Sequence, residues 1–151
     1  MLSLEPDVQG QTLYIAGSAY VFDAKSTLAT ISFPSLVVTP VGPVSAGFPE
    51  MSGTGDGALW GFIPSGVSSS GKAVLVRIDP ASGATLESHA YASLANANSW
   101  AMKFWGGKFW IFLGSSIYTV SRDTPDKIET AMGDTGRDIV GAGVSTCAPL
   151  R

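Results

Sequence analysis

The chain has very little of the residue types on which most metal and covalent chemistry depends. Cys147 is the only cysteine and His89 the only histidine among 151 residues. A single cysteine excludes a disulfide within the chain and leaves a cysteine-based zinc site without ligands. A nucleophilic Cys147 would need a partner base, and nothing in the sequence places His89 beside it. The sequence therefore predicts no catalytic residue, no metal ion and no cofactor, and it leaves the role of Cys147 open.

Charge is also scarce, and this limits the classes of partner. Charged residues make up 14% of the chain, and its nine Lys and Arg are scattered. Proteins that bind nucleic acid carry a clustered basic patch, which is missing here. No stretch has the apolar length of a transmembrane helix, and residues 1–7 lack the basic and apolar segments of a signal peptide. We expect a soluble chain without nucleic-acid or membrane partners; its location is left open, and its composition fits an exported parent protein.

What the chain does contain indicates a single all-β domain. Its hydrophobic content is 45%, enough for a sizeable core, and its 18 glycines and 9 prolines are typical of many short strands joined by turns. The strand patterns cover residues 13–16, 19–23, 28–33, 58–63, 73–79, 85–90, 100–105, 108–113, 116–121 and 127–132. Tight turns are predicted at 17–18, 79–84 and 106–107.

Three segments are predicted to be irregular. Residues 35–49 contain three prolines, which argues against a central strand and leaves at most a short edge strand at 36–38. Residues 64–72 form a Ser- and Gly-rich loop in which no core residue is expected. Residues 92–97 have the propensity for one or two helical turns.

A loose internal repeat is the most informative pattern. An apolar run with a central aromatic occurs three times, at Tyr14, Trp60 and Trp110, and a second apolar run follows each time, at 20–23, 74–79 and 117–121. The spacing of the aromatics lies in the range of propeller blades and related arrays. A third, more polar run ends each unit.

The first two units resemble the blades of β-propellers of the quinoprotein-like and YVTN-like type. Residues 13–25 and 74–83 carry the resemblance, with a strand that ends in Asp23 or Asp79 before the next turn. The third unit has Ser121 at that position. The resemblance implies antiparallel four-stranded blades, about three per chain, at approximately 1–45, 46–95 and 96–136, with a spare C-terminal strand at 138–146. Residues 1–151 would form one partial β-propeller, and no enzyme motif accompanies the resemblance.

Three blades are fewer than the four to eight that close a propeller. Both end blades would expose apolar faces, which predicts a partner. We expect a non-enzymatic scaffold that forms a homo-oligomer, with a dimer of six blades favoured. A carbohydrate- or protein-binding β-domain, either a lectin-like propeller or a sandwich, stays open as an alternative, as does the terminal part of a larger propeller enzyme.

No ligand-binding residue is assigned from the sequence. The four tryptophans are expected to pack between blades rather than stack on a sugar or base, with Trp100 the best candidate for an exception. Asp134 and Asp138 lack the ligand pattern of a calcium loop, so a solvated turn is predicted. Residues 53–57 are rich in glycine but lack the Lys-Ser/Thr ending and helix of a phosphate loop. His89 lies on a polar strand and is expected to be exposed.

Overall fold

The computed structural model describes residues 12–18 and 25–144, and this part of the chain forms three antiparallel β-sheets. The first sheet consists of β1 (Leu13–Gly17), β2 (Ser26–Ile31) and β3 (Val38–Val44). The middle sheet consists of β4 (Glu50–Gly53), β5 (Leu59–Ile63), β6 (Ala73–Ile78) and β7 (Thr85–Tyr91). The third sheet consists of β8 (Trp100–Trp105), β9 (Lys108–Leu113), β10 (Ser116–Ser121) and β11 (Ile128–Met132). In each sheet the strands follow one another in chain order, which confirms the predicted all-β class.

The predicted strands from residue 58 onward agree with β5 to β11 to within one residue at each end. Gly106 and Gly107 have φ of 59° and 75°, as a type I′ turn requires at both central residues, and Trp105 pairs with Lys108 across them. The turn after β6 is closed by Asp79 N–H, which donates to Ala84 O at 2.8 Å. These local turns therefore determine the registers of β8 with β9 and of β6 with β7.

The first sheet contains a pairing that the sequence did not predict. A tight turn at residues 17–18 would pair residues 13–16 with 19–23, and residues 19–23 lie outside the described part of the chain. Within that part, β1 pairs with β2, from Leu13 opposite Ile31 to Gly17 opposite Thr27.

The prolines of residues 35–49 do not prevent a strand, but they confine it to a sheet edge. The edge strand is β3, Val38–Val44, rather than the short segment 36–38. It contains Pro40 and Pro43, and its register against β2 shifts between Leu28 and Ala29. Proline has no N–H to donate, so an edge strand with a local irregularity accommodates it.

Two other predictions for loops were wrong. The loop at 64–72 does supply a core residue, because Val67, in the 3₁₀ turn Ser65–Val67, packs against the cluster between the first and middle sheets. It is also anchored by Ser69 N–H, which donates to Ala46 O at 2.9 Å. Residues 92–97 form no helix; a single turn places Leu94 in the core instead.

The central strands of the middle sheet, β5 and β6, are buried on both faces. Side chains of β5 alternate, so Trp60 and Phe62 face the third sheet while Leu59 and Ile63 face the first sheet. All five residues of β5 are buried as a result. The three sheets are thus stacked in the order first, middle, third, with one apolar cluster at each of the two contacts.

Polar bonds join the middle and third sheets along both margins. On the side of the first strands, Ser52 Oγ accepts from Phe104 N–H at 3.1 Å, and Lys103 Nζ donates to Met51 O at 3.0 Å. On the side of the last strands, the Tyr91 hydroxyl donates to Pro125 O at 2.6 Å. These bonds fix how the two sheets are oriented on each other.

Replacement of Gly42 by alanine is expected to destabilise the contact between the first and middle sheets. A Cβ at Gly42 would lie 2.0 Å from the backbone oxygen of Ser82, so one backbone must move. We expect the free energy of unfolding to fall by about 1–3 kcal/mol, the usual cost of overpacking. Gly53→Ala is the matched control, because its nearest atom would be Ala58 O at 4.0 Å. Urea denaturation compares them, and equal losses would contradict the close approach.

Candidate functional site

The third sheet has one face on the core and one face without a following sheet among the described residues. The second, which we call the third-sheet open face, carries the apolar and aromatic residues Ala101, Trp105, Trp110, Phe112 and Ile117 and the polar residues Lys103, Lys108, Thr119, Ser121 and Glu129. The register places Lys103 opposite Trp110 and Phe112 opposite Ile117, so these side chains share one side of β8, β9 and β10. Trp105, Trp110 and Phe112 form an aromatic patch on this face, which is unusual for a surface that contacts only solvent.

Two tryptophans dominate this face. Trp105 is 47% exposed, and its ring centroid lies 6.2 Å from that of Trp110 at an interplanar angle of 59°. The Trp110 indole N–H donates to Trp105 O at 3.2 Å, so the more buried ring is held in place. Together with Lys103 and Phe112, the pair lines a cleft of about 340 Å³ whose remaining wall is Ala142, Gly143 and Val144.

The charge in this cleft is already matched within the chain. Lys103 Nζ donates to Met51 O and lies 3.5 Å from Glu50 Oε1, and its side chain is three-quarters buried. An ammonium bound in this way has little capacity left for an anionic ligand. The cleft is therefore suited to apolar and aromatic groups.

The first sheet has an equivalent apolar face at the other end of the stack. Its members, which we call the first-sheet open face, are Leu13, Ile15, Ala29, Ile31 and Val38. Pairing places Leu13 opposite Ile31, Ile15 opposite Ala29, and Ile31 opposite Val38, so all five lie on the side away from the middle sheet. Val38 is 51% exposed. Among residues 12–18 and 25–144, both ends of the stack thus present apolar sheet surface.

The three repeated aromatics occupy corresponding places. Tyr14 packs against the cluster shared with the middle sheet, and the Trp60 ring lies 5.0 Å from the Phe109 ring of the third sheet. In both cases the aromatic covers the next sheet along the chain. Trp110 likewise points away from the preceding sheet, but within the described residues there is no next sheet for it to contact.

A second cluster surrounds His89, and the expectation that this side chain is exposed was wrong. Its side chain is 12% exposed and lies between two carboxylates. Nδ1 is 2.6 Å from Asp126 Oδ1, in the turn before β11, and Nε2 is 2.9 Å from Glu87 Oε1 on β7. Alternation along β7 indicated that Glu87 and His89 share a face. Asp126 is 37 positions away in the sequence, and no local pattern connects it to His89.

The pKa values in this cluster follow from its geometry. Burial lowers the pKa of His89, but the hydrogen bonds and negative charges of Asp126 and Glu87 outweigh burial and raise it above its ordinary value. Burial raises the pKa of the Tyr91 phenol, and the charge of Asp126 adds to this rise. Both ring nitrogens of His89 are occupied, so the ring has no free position for a metal ion or a substrate proton.

The glycine-rich segment 53–57 holds a carboxylate of its own. Asp56 Oδ1 accepts from Thr54 Oγ1 at 2.5 Å and from Ala58 N–H at 3.4 Å, and Oδ2 is paired with Arg122 of the third sheet. The Thr54 hydroxyl, together with Arg122, lowers the pKa of Asp56 to about 2. A permanent negative charge in this loop disfavours a phosphate ligand and adds a further link between the sheets.

The remaining sequence candidates are scattered. Asp134 and Asp138 are exposed. Gly136 N–H donates a hydrogen bond to Asp134 Oδ1 at 2.8 Å, and this bond helps to lower the pKa of Asp134. Trp100 packs against the core between the middle and third sheets. In the described ranges no three His, Cys, Asp or Glu residues are grouped to hold a metal ion. Cys147 lies outside those ranges.

Two general findings on the chain complete the description. Within residues 12–18 and 25–144, no helix has the length and apolar character needed to cross a membrane. Comparison of the chain with protein-family models, with curated proteins and with solved structures finds no match.

Proposed function

We propose that this chain is a structural or interaction scaffold that assembles with a second copy of itself. In the assembly, the third-sheet open face of each copy packs on the first-sheet open face of the other copy. Two such contacts would close a ring of six sheets of the propeller type with no open face.

One observation carries this proposal. Within the chain, the first sheet packs on the middle sheet and the middle sheet packs on the third sheet. The two open faces are the outer faces of the first and third sheets, which neither of these contacts covers. Trp60 covers the third sheet and Tyr14 covers the middle sheet, while Trp110 has the same orientation and, in the described part of the chain, no sheet to cover. The next sheet in this order would be the first sheet of another copy, and its open face supplies Ile15, Ile31 and Val38.

The chemistry of the two faces supports the same occupant. The third-sheet open face offers aromatic rings and a cleft, and its two lysines are paired within the chain, Lys103 with Glu50 and Lys108 with Glu129. The first-sheet open face offers branched aliphatic side chains, which pack well against aromatic rings. A head-to-tail contact of this kind forms a closed ring when the rotation between copies closes, and a filament when it does not.

The test is the mass of the particle in solution. We expect size-exclusion chromatography with light scattering to give twice the chain mass of 15.6 kDa at micromolar concentration. On dilution through the dissociation range, tryptophan emission is expected to shift to the red as Trp105 becomes solvated. A stable monomer would overturn the proposal. In that event, binding of a glycan or of an unrelated protein to the same face would be the alternative result to examine.

A charge on either open face is expected to break the assembly. Ile15→Glu and Trp105→Glu each replace an apolar side chain by a carboxylate in a contact that the ring forms twice, so the dimer dissociation constant is expected to rise about 100-fold or more. Leu86→Glu is the matched control, because Leu86 is exposed on β7 and belongs to neither face. An equal effect from Leu86→Glu, or no effect from the two face variants, would contradict the arrangement.

A further inference from the structure

His89 is the one histidine of the chain, and its two ring nitrogens connect two sheets. Asp126, its Nδ1 partner, lies in the turn that leads into β11 of the third sheet, and Glu87, its Nε2 partner, lies two residues away on the same strand of the middle sheet. An ionised carboxylate only accepts hydrogen bonds. Both contacts are satisfied together only when both ring nitrogens carry a proton, which means that the ring is an imidazolium.

We infer that His89 is a proton-dependent clamp between the middle and third sheets, which the doubly protonated ring closes and the neutral ring opens. A neutral imidazole has one N–H and one lone pair, so it keeps one carboxylate and loses the other. Asp126 is 85% exposed and is readily hydrated when released, whereas Glu87 is held on the same strand as the ring. The bond that opens is therefore the one between the sheets.

The surroundings of the ring favour the charged form. The ring stacks on Trp60, with centroids 6.3 Å apart and planes inclined by 27°, and a cation over an indole face is attracted to it. The charged and titratable groups on the elements around the ring are Arg77 on β6, Glu87 and Tyr91 on β7, the Asp56–Arg122 pair, and Asp123, Asp126 and Lys127 in the turn. Of these, Asp126 and Glu87 bond directly to the ring.

The direction of the pH dependence follows from the raised pKa of His89 in the folded chain. The stabilisation that the clamp gives is fully present below pH 6.5, the ordinary value for histidine, and it is lost as the pH rises through the raised value. At acidic pH the clamp weakens again when its carboxylates become protonated. The middle and third sheets are thus most firmly joined in mildly acidic solution. The tyrosine bond to Pro125 persists on both sides of this range.

The experiment is an NMR titration of the single imidazole, with urea unfolding at pH 6 and pH 9 under monomeric conditions. We compare the native chain with Asp126→Asn and with Asp123→Asn, a control with the same charge change in the same turn. We expect the imidazole midpoint to lie above the ordinary histidine value and to move to lower pH in Asp126→Asn. The rise in the unfolding equilibrium constant from pH 6 to pH 9 is expected to be about two- to fivefold larger in the native chain than in Asp126→Asn.

Asp123→Asn is expected to resemble the native chain, because Asp123 is exposed and its charge is not bonded to the ring. Asparagine has nearly the shape of aspartate, so both variants are expected to fold, and the imidazole signal reports the ring even if stability changes little. A native midpoint at or below the ordinary value would overturn the clamp. Equal midpoints in Asp126→Asn and Asp123→Asn would overturn it as well.

Discussion

Replacement of Phe109 by alanine is expected to lower the free energy of unfolding by about 3–5 kcal/mol, the usual cost of truncating a buried phenylalanine. Phe109 is fully buried in β9, at the centre of the contact between the middle and third sheets. Its ring lies 5.0 Å from the Trp60 ring and 5.1 Å from the Phe104 ring. The strands that carry these rings are held in register by hydrogen bonds, so they cannot move in to fill the cavity.

Phe112→Ala is the matched control for this prediction. Phe112 lies on the same strand but on the third-sheet open face, where it is only half-buried in the single chain. Urea unfolding followed by circular dichroism is expected to show a cost of about 1 kcal/mol or less for Phe112→Ala when the chain is monomeric. In the proposed assembly its cost is expected to increase with protein concentration, since the stability of an oligomer depends on concentration. Equal costs for the two variants at low concentration would contradict the assigned faces of β9.

The sequence predicts local structure well where a turn determines it. Gly106-Gly107 and the turn from Asp79 to Ala84 each join strands whose bounds and register follow directly from the turn. In the first sheet, the predicted partner of β1, residues 19–23, lies outside the described part of the chain, and the pairing of β1 with β2 was not predicted. The register of β1 depends on packing Tyr14 against the middle sheet, a contact between residues far apart in the chain.

In the candidate sites, too, local sequence does not predict contacts between residues that are far apart in the chain. Trp60 and Trp110 have almost the same local pattern, yet Trp60 is buried and Trp110 lies on an open face. The difference between them is whether another sheet comes next, and this depends on their order in the stack. His89 was misplaced for a related reason, because its burial comes from Asp126 and the turn before β11. Local alternation indicates which residues share a face, whereas the stacking of sheets decides what that face contacts.

Mixing two face variants is expected to restore a dimer that neither variant forms alone. Ile15→Glu damages the first-sheet open face and leaves the third-sheet open face intact, whereas Trp105→Glu does the reverse. In a head-to-tail ring, a pair made of one copy of each variant has one contact with both substitutions and one contact that is fully native. At a concentration where each variant alone is monomeric, light scattering of the equimolar mixture is therefore expected to show a particle of twice the chain mass.

This result distinguishes the proposed arrangement from a symmetric contact between two identical faces. If two third-sheet open faces met, Trp105→Glu alone would dissociate the dimer, Ile15→Glu would leave it intact, and the mixture would gain nothing. If two first-sheet open faces met, the roles would be exchanged. The mixed dimer is expected to be weaker than the native one, because one of its two contacts is lost. A mixture of Ile15→Glu and Trp105→Glu that stays monomeric would contradict the head-to-tail ring, since a single native contact between the two copies would then have no measurable affinity.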